Sequence, residues 1–337
     1  MNSHSALGGL LRRPESGAFL GLVAVLAFFG IFGGLTFLQP AGMASWMNVA
    51  ANLGVIAIPV GLLMIAGELD ISVGAMVPFG AMTVAVVSGH YGLPIWFGIG
   101  VTLIFGVLVG LINGYMVVRT AVPSLIVTLG SLFAVQGVVL GLTVLITKST
   151  SVALKVEGPA KAVFGDFVFG GQVQAMVLWW LVVTAAYIYF VHFSRFGNWI
   201  FAMGGDKVSA RNAGIPTERM TIVLFVLSST SAAFVGMCQA ILYNSAQVAG
   251  GQSFIFNAII SVVVGGVLLT GGFGSIIGIF FGTITFAIVN QGIYYTDFDR
   301  NWSALIIGVL LLVAVLMNNT FRKMALSYAP KKTGAKA

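Results

Sequence analysis

Two long apolar runs, 47–66 and 71–88, are separated by only four residues, two of which are the carboxylates Glu68 and Asp70. Each run is about long enough to cross the hydrocarbon core of a bilayer as a helix. A carboxylate at that depth costs several kcal/mol unless it is paired or hydrated. An irregular segment that lines a cavity meets that requirement. We therefore predict two helices that meet at a polar hinge over residues 67–74.

A second interpretation of this stretch places both carboxylates at a membrane interface. Asp70 would then cap the second helix, and Glu68 would lie among the lipid headgroups. If the hinge interpretation holds, the candidate gate and hinge residues are Gly67, Glu68, Asp70, Ser72 and Gly74. The sequence leaves both interpretations open.

Composition extends the membrane assignment to the whole chain. Of its 337 residues, 58% are hydrophobic and only 7% are charged, and the mean hydropathy is +1.04, which is far above the range of soluble domains. The apolar runs are continuous instead of alternating with polar residues, which favours helices over a barrel. The predicted fold class is an all-α membrane protein.

Hydropathy predicts about ten transmembrane helices. The predicted spans are 18–38, 47–66, 71–88, 94–117, 123–146, 174–193, 220–243, 256–271, 274–294 and 302–319. A cleaved signal peptide is the alternative for the first span, although its apolar region would normally be shorter. The short gaps at 67–70 and 272–273 are typical of hinges inside broken helices, so we predict a second break near 271–275.

The distribution of positive charges predicts the orientation. With the N-terminus inside, twelve of the 16 Lys and Arg residues fall inside and four fall outside, as the positive-inside rule requires. We predict a cytoplasmic leader at 1–16, one transmembrane domain at 17–321 and a cytoplasmic basic tail at 322–337. Within the domain, the longest inside loop is 194–219 and the longest outside loop is 147–172.

A weak internal repeat suggests two related halves. The matching positions, 205 residues apart, are Asn52 and Asn257, Gly61 and Gly266, and Gly67 and Gly272. Ser72 and Gly74 also match Ser275 and Gly278 within one or two positions of that shift. Related halves are common in transporters, but such matches also arise by chance in a glycine-rich apolar chain. The ten-span topology makes the two copies parallel.

Glycines recur at intervals of four residues in three spans. These ladders are Gly106, Gly110 and Gly114; Gly274, Gly278 and Gly282; and Gly137 and Gly141. The spacing places the glycines on one face of a helix, where a neighbouring backbone can approach closely. We predict packing faces within the chain, with a subunit interface as the alternative for the ladder that starts at Gly274.

The inside loop carries the signals of a short helix. Asp206 is a favourable N-cap, Gly214 a favourable C′ residue and Pro216 a stop, which predicts a helix of about two turns over 207–213. A helix this short is unstable alone in water, so it must pack on something. It is either a linker that lies on the membrane surface or a helix that docks into a cytoplasmic partner and transmits force.

Polar residues in or beside the spans are candidates for a transport path. They are Asn52, Asn113, Gln239, Asn244, Asn257, Asn290 and Gln291. Amide side chains suit a neutral polyhydroxylated solute better than an ion that needs fixed charge. A polar residue in such a position more often forms a hydrogen bond between helices than a contact with a ligand.

Several motifs are missing from the sequence. It has no Gly-x-x-x-x-Gly-Lys-Ser/Thr phosphate loop and no Gly-x-Ser-x-Gly elbow. Its three histidines are scattered, and its single cysteine, Cys238, lies in an apolar run. We predict a protein that is not an enzyme, with no catalytic residues, no metal site and no affinity for nucleic acid.

The hinge and the loops together resemble a known family. Residues 67–74 resemble the Gly-Gly-Ile-Asp-Leu-Ser-Val-Gly signature of ribose-type ABC importer permeases, in the branched-chain amino acid/ribose permease superfamily, with Glu68 in place of a glycine. Further stretches similar to this family are 113–114, 123–130, 202–215, 265–266 and 271–282. The resemblance covers most of residues 47–320.

The resemblance implies a permease subunit that forms a homodimer in the bacterial inner membrane and imports a sugar or a sugar-like polyol. A cytoplasmic twin-domain ATPase would hold ATP and Mg²⁺, a periplasmic binding protein would deliver the solute, and this chain would bind no cofactor. The residues that would couple the chain to the ATPase are Gly204, Gly205, Asp206, Lys207, Ala210, Arg211 and Gly214.

Two other classes of membrane protein remain as alternatives. One is a secondary transporter coupled to protons or sodium through Glu68 and Asp70, and the other is a passive channel or a scaffolding subunit. Neither requires a capped docking helix at 207–213, so that helix favours the importer.

Overall fold

The computed structural model describes residues 14–120, 122–297, 299–302, 305–306, 308–309, 311–313 and 316. Most of the predicted leader, the whole predicted tail and much of the predicted span 302–319 lie outside these residues. The α-helices are α1 (Pro14–Phe32), α2 (Gly34–Leu38), α3 (Pro40–Ile65), α4 (Val73–Val84), α5 (Ile95–Thr120), α6 (Ser124–Thr147), α7 (Pro159–Phe164), α8 (Met176–Phe193), α9 (Arg195–Gly205), α10 (Lys207–Asn212), α11 (Thr217–Tyr243), α12 (Gln252–Val264) and α13 (Ile276–Gly292).

Short elements complete the described chain. A π-helix, Ala85–His90, continues α4, and a 3₁₀ turn, Ile293–Tyr295, continues α13. A second 3₁₀ turn covers Arg300–Trp302. The strands are β1 (Ser151–Ala153), β2 (Phe167–Val168), β3 (Val173–Gln174) and β4 (Ser245–Gln247), and they pair antiparallel as β1 with β4 and β2 with β3.

Eight helices in the described part of the chain are long and apolar enough to cross a membrane. They are α1, α3, α4 with its π-helical end, α5, α6, α8, α11 and α13 with its 3₁₀ turn. The all-α membrane fold is thus confirmed. The predicted count of ten is not, because α12 has only 13 residues and the predicted span 302–319 is only partly described.

The predicted first span, 18–38, is not one helix. The chain bends between α1 and α2, where Gly34 has φ of +64°, a left-handed conformation that favours glycine. The next helix then begins at Pro40, seven residues before the predicted start at 47. Proline is favourable at the first helical position because its missing amide would have no helical partner there.

Helix α3 lies at the centre of the bundle and α11 lies beside it. Every residue of α3 from Leu53 to Ile65 is buried, and the helix contacts α8, α11, α12 and α13. Helix α11 packs against α3, α4 and α5. Because α11 has 27 residues, it is about 40 Å long and joins the two ends of the bundle.

Two of the three glycine ladders are packing faces inside the chain. A Cβ at Gly110 would lie 2.5 Å from Val226 Cα, and one at Gly114 would lie 2.7 Å from Ile222 Cα, so this ladder of α5 contacts the backbone of α11. The ladder of α13 approaches α12 equally closely at Gly278 and Gly282. A Cβ at Gly137 or Gly141 would have no described neighbour within 4 Å, so the third ladder packs on no described residue.

The bundle has two ends that we name by a lysine. At the Lys207 face, α3 ends and α4 begins, and the α9–α10 corner, residues 204–207, lies against the segment that joins these two helices. At the Lys161 face, α7 contacts the end of α11, and the amide of Asn48 near the start of α3 donates to Gln172 O at 3.0 Å. The chain therefore places its predicted inside loop, 194–219, and its predicted outside loop, 147–172, at opposite ends of the bundle.

The first break, residues 66–72, separates α3 from α4, and the second break, residues 265–275, separates α12 from α13. Both breaks begin with the same C-terminal motif. After α3, the amide of Gly67 donates to Met64 O at 3.0 Å, and the amide of Glu68 donates to Leu63 O at 2.9 Å. Gly67 has φ of +85°, so this is a Schellman motif with glycine in the left-handed position. The same pair of bonds ends α12, where Gly266 has φ of +90°.

These two motifs correct the predicted repeat. Gly67 corresponds to Gly266, 199 residues later, whereas the predicted shift of 205 paired it with Gly272. The helices after the breaks follow the N-caps Ser72 and Ser275, which are 203 residues apart and which the sequence had already paired. The second break is therefore four residues longer (203 − 199), and no single shift aligns both of its ends. Both copies run in the same direction, as predicted.

Candidate functional site

Hydrogen bonds from α6 hold the first break in an extended path. The amide of Leu69 donates to Ser124 Oγ at 3.1 Å, and the amide of Ile71 donates to Thr128 Oγ1 at 3.3 Å. Ser124 and Thr128 are four residues apart, so both hydroxyls lie on one face of α6. They satisfy backbone groups that a helix would otherwise have satisfied. Neither residue was predicted from the sequence to have a role, although their spacing could have indicated one.

Asp70 is buried inside this network, with 1% of its surface exposed. Its Oδ1 accepts hydrogen bonds from the amide of Ser72 at 2.9 Å and from Ser72 Oγ at 2.6 Å. Asn113, which is fully buried, donates to the same Ser72 hydroxyl at 3.0 Å. The N-cap of α4 is therefore Ser72 and not Asp70. Asp70 holds Ser72 in place through these two hydrogen bonds.

These contacts predict the effect of replacing Asp70. We expect Asp70→Ala to lower the free energy of unfolding by about 1–3 kcal/mol, because two buried donors at Ser72 lose their acceptor. Asp70→Asn keeps an oxygen in the Oδ1 position, so it should cost markedly less. Thermal unfolding of the purified protein in detergent measures both effects. Equal losses for the two variants would show that the negative charge, not the acceptor, is what the break requires.

The two breaks meet the α9–α10 corner through backbone contacts. The amide of Gly272, in the second break, donates to Ile65 O at the end of α3 at 2.8 Å. Gly204, in the last turn of α9, lies against both of those groups so closely that a Cβ there would overlap them. A Cβ on Gly271 would lie 3.1 Å from Gly67 Cα. The structure thus brings three segments together that are far apart in sequence.

Helix α10 has the predicted caps. It covers Lys207–Asn212, and the Asp206 carboxylate accepts a hydrogen bond from the amide of Ser209 at 2.5 Å. The hydrogen bonds from the Ser209 amide and hydroxyl lower the pKa of Asp206. The stability that the Asp206 cap contributes is therefore fully present above the ordinary pKa of an aspartate. It is lost only as the pH falls through the lowered pKa of Asp206. Gly214, with φ of +85°, follows the helix as predicted.

Two ion pairs attach α10 to the helices around it. Lys207 pairs with Glu68, so Glu68 does not lie free at a membrane interface, and Arg211 pairs with Glu218 at the start of α11. Within α10, Ala210 is buried, whereas Val208 is 69% exposed. Helix α10 is therefore fixed to the bundle by its ion pairs and exposes the apolar side chain of Val208.

The candidate path residues Asn52 and Gln239 meet near the Lys161 face. Gln239 Nε2 donates to Asn52 Oδ1 at 3.3 Å, and Asn52 Nδ2 donates to Gln174 Oε1 at 2.8 Å. A cavity of about 10 Å³ borders these three side chains. It has room for about one water molecule, so the chain is closed to a sugar-sized solute at this point.

The other candidate path residues lie in separate places. Asn113 belongs to the network at the first break, and Asn257 is partly buried on α12. Gln291 Nε2 donates to its neighbour Asn290 Oδ1 at 2.9 Å near the end of α13. Asn244 ends α11 in the left-handed conformation, with φ of +53°. These residues form no single site within one copy of the described chain.

Lys161 makes polar contacts that were not predicted from the sequence. Its ammonium group donates to the carbonyl oxygens of Ile241 and Leu242 and to Asn244 Oδ1, all at the C-terminal end of α11. A cation is favourable there because the last helical carbonyls have no partner within the helix. Burial lowers the pKa of Lys161. These contacts fix α7, in the predicted outside loop, to the end of α11.

Most of the chain matches a known family of transport proteins. The family described as branched-chain amino acid transport system / permease component matches residues 42–315. The chain belongs to this family of permeases. The permease is 30% identical over 275 residues to the inner membrane ABC transporter permease protein YjfF of Escherichia coli (strain K12), with 79% of this chain and 80% of that protein covered.

Two further relatives cover more of the permease. It is 29% identical over 321 residues to the fructose import permease protein FrcC of Rhizobium meliloti, and the matched region includes 93% of this chain and 87% of that protein. It is 25% identical over 378 residues to the xylose transport system permease protein XylH of Escherichia coli (strain K12), and the matched region includes 92% of this chain and 96% of that protein. No solved structure matches the chain.

Membership in the family defines what kind of protein this is. The permease is a multi-pass inner-membrane subunit of an ABC importer and works with a separate ATPase subunit. The comparisons support this class over the ion-coupled secondary transporter that the carboxylates Glu68 and Asp70 had also suggested.

Proposed function

We propose that the permease carries a sugar or a sugar-like polyol, and that its ATPase binds at the α9–α10 corner. Similarity to fructose and xylose permeases supports the solute class. The observation that carries the assignment of the corner is its contact with both helix breaks, through Gly204 and Lys207. A partner that pushes or pulls on α10 acts directly on the two segments where transmembrane helices are interrupted.

The remaining parts of the proposed assembly follow from the same family. Two copies of the permease form a homodimer, and the solute passes between them. The cavity beside Asn52 and Gln239, about 10 Å³, is too small to hold a sugar within one copy. A periplasmic binding protein delivers the solute to the Lys161 face. The Lys207 face and both termini are cytoplasmic, in agreement with the charge distribution. ATP and Mg²⁺ bind to the ATPase, and the permease itself holds no cofactor.

Within this proposal, the coupling residues and the gate residues have different tasks. The coupling residues, Gly204, Gly205, Asp206, Lys207, Ala210, Arg211 and Gly214, shape and anchor α10. The gate and hinge residues, Gly67, Glu68, Asp70, Ser72 and Gly74, form the first break and the start of α4. Movement of α10 would change the geometry of this break and open or close the path beside it.

A substitution at Val208 tests where the ATPase binds. Val208 is exposed on α10, so Val208→Glu should leave the fold of the permease intact while it places a charge in the proposed interface. We expect the amount of ATPase that co-purifies with the permease to fall at least about tenfold, which corresponds to ~1.4 kcal/mol of binding free energy.

Val163→Glu is the matched control for this experiment. Val163 is also an exposed valine on a short helix, but it lies at the opposite end of the bundle. It should not change ATPase co-purification. Normal ATPase binding by Val208→Glu would remove α10 from the interface.

A further inference from the structure

One ion pair joins the α9–α10 corner to the first break. Among the ion pairs of the described residues, the Lys207–Glu68 pair alone connects a break between transmembrane helices to α10. The Glu68 side chain is only 11% exposed, whereas the Lys207 side chain is 41% exposed. The Glu68 carboxylate is therefore nearly buried, and its partner Lys207 is partly exposed.

Both partners of this pair are fixed to different elements. Glu68 completes the Schellman motif of α3, because its amide donates to Leu63 O at 2.9 Å. The next residue, Leu69, is held to α6 through Ser124 Oγ at 3.1 Å. Lys207 is the first residue of α10 and follows the N-cap Asp206. The pair is thus a side-chain connection between the short helix and the backbone of the break.

We propose that the Lys207–Glu68 pair is the positioning contact that transmits a displacement of α10 to the break between α3 and α4. This inference rests on the proposed binding of the ATPase at α10. If α10 moved alone, it would leave a nearly buried carboxylate without its cation, which is strongly unfavourable. The break therefore moves with the helix.

A purely structural role for the pair would have a different signature. The hydrogen bond from Gly272 to Ile65 O and the close contacts of Gly204 hold the corner in place without any charge. Loss of the ion pair should therefore leave the corner folded and the ATPase bound. It should remove the response of the break to nucleotide.

A labelling experiment measures that response without knowledge of the solute. Cys238 is the only cysteine of the chain and is buried, so Cys238→Ala provides a background for Leu69→Cys, a partly buried reporter inside the break. The probe is N-ethylmaleimide, applied to the complex of permease and ATPase with and without ATP and vanadate. With Glu68 and Lys207 intact, we expect nucleotide to change the labelling rate.

Neutral and charge-reversed variants then test the pair. Glu68→Gln and Lys207→Gln should each reduce the effect of nucleotide on labelling about fivefold or more, the lower end of typical coupling between sites. The double neutral variant should be no worse than either single one, because both remove the same interaction. The reversed pair, Glu68→Lys with Lys207→Glu, should recover part of the response.

The outcomes separate this inference from the proposed function. Nucleotide-dependent labelling that persists in both neutral variants, or that is absent with the pair intact, would overturn the role of the pair while the ATPase still co-purifies. Failure of the unaltered permease to bind an ATPase would instead overturn the proposed function. Loss of ATPase binding in the neutral variants alone would show that the pair is structural and would also overturn the inference.

Discussion

Gly204→Ala should abolish ATP-driven transport and markedly destabilise the permease. A Cβ at this position would overlap Ile65 O and the amide nitrogen of Gly272, which are backbone atoms already joined by a hydrogen bond. Neither can move without displacing the end of α3 or the second break. Overpacking typically costs about 1–3 kcal/mol and sometimes more, and we expect the upper end here because no flexible side chain can give way.

The adjacent glycine is the natural control for this variant. A Cβ at Gly205 would have no described neighbour within 4 Å, so Gly205→Ala should retain stability close to that of the unaltered protein. Thermal unfolding in detergent should be measured for both variants, and ATP-driven uptake for Gly204→Ala. If the two variants unfold at the same temperature, α9 does not approach the two breaks closely.

Gly236→Ala should produce the second large effect, by separating α11 from α4. A Cβ on Gly236 would overlap Val77 O and would lie 3.1 Å from the amide nitrogen of Ala81. Both are backbone atoms of α4, so two central helices would have to move apart. Close contact between small residues is a main source of helix association in membranes. We expect a loss of at least about 2 kcal/mol of stability, visible as a lower yield of monodisperse protein and a lower unfolding temperature.

Gly137→Ala is the control for that experiment. Gly137 lies in a membrane-spanning helix, as Gly236 does, but a Cβ there would contact no described residue. The substitution should leave monomer stability unchanged or slightly improved, because alanine is the better helix former. A loss equal to that of Gly236→Ala would mean that α6 packs closely on something outside this single chain.

The sequence predicted the fold class and the local structure of the coupling loop. Continuous apolar runs indicated membrane helices, and Asp206 with Gly214 indicated the ends of α10, because caps are local signals. It did not predict α9, Arg195–Gly205. Three glycines in that segment lower its helix propensity, and contacts with Ile65 and Gly272 stabilise it only in the folded bundle.

The repeat shows a second limit of prediction from sequence. A shift of 205 residues matched three pairs of positions, and Ser72 matched Ser275 close to that shift. The structure agrees with the pairing of Ser72 and Ser275, but it places the helix ends before the breaks only 199 residues apart. Four extra residues in the second break disrupt any constant shift. The equivalence became visible only through the backbone hydrogen bonds and positive φ angles of Gly67 and Gly266.

The candidate site was predicted in its parts but not in its assembly. Glu68 and Lys207 are 139 residues apart in the chain, and no periodicity links them. Their pairing depends on the packing of α9 beneath α3, which is a tertiary contact. Similarly, the candidate path residues shared a residue type, but the fold distributes them among α3, α5, α11, α12 and α13.

The permease is expected to move solute only with the energy of a separate ATPase, and every role proposed for its residues depends on this. The direct test is uptake of radiolabelled pentoses and hexoses by proteoliposomes that contain the permease, its co-purified ATPase and the solute-binding protein. We predict that at least one sugar accumulates above its outside concentration when ATP reaches the ATPase, and that none does so without it. Uphill accumulation by the permease alone, driven by a proton or sodium gradient, would contradict this dependence.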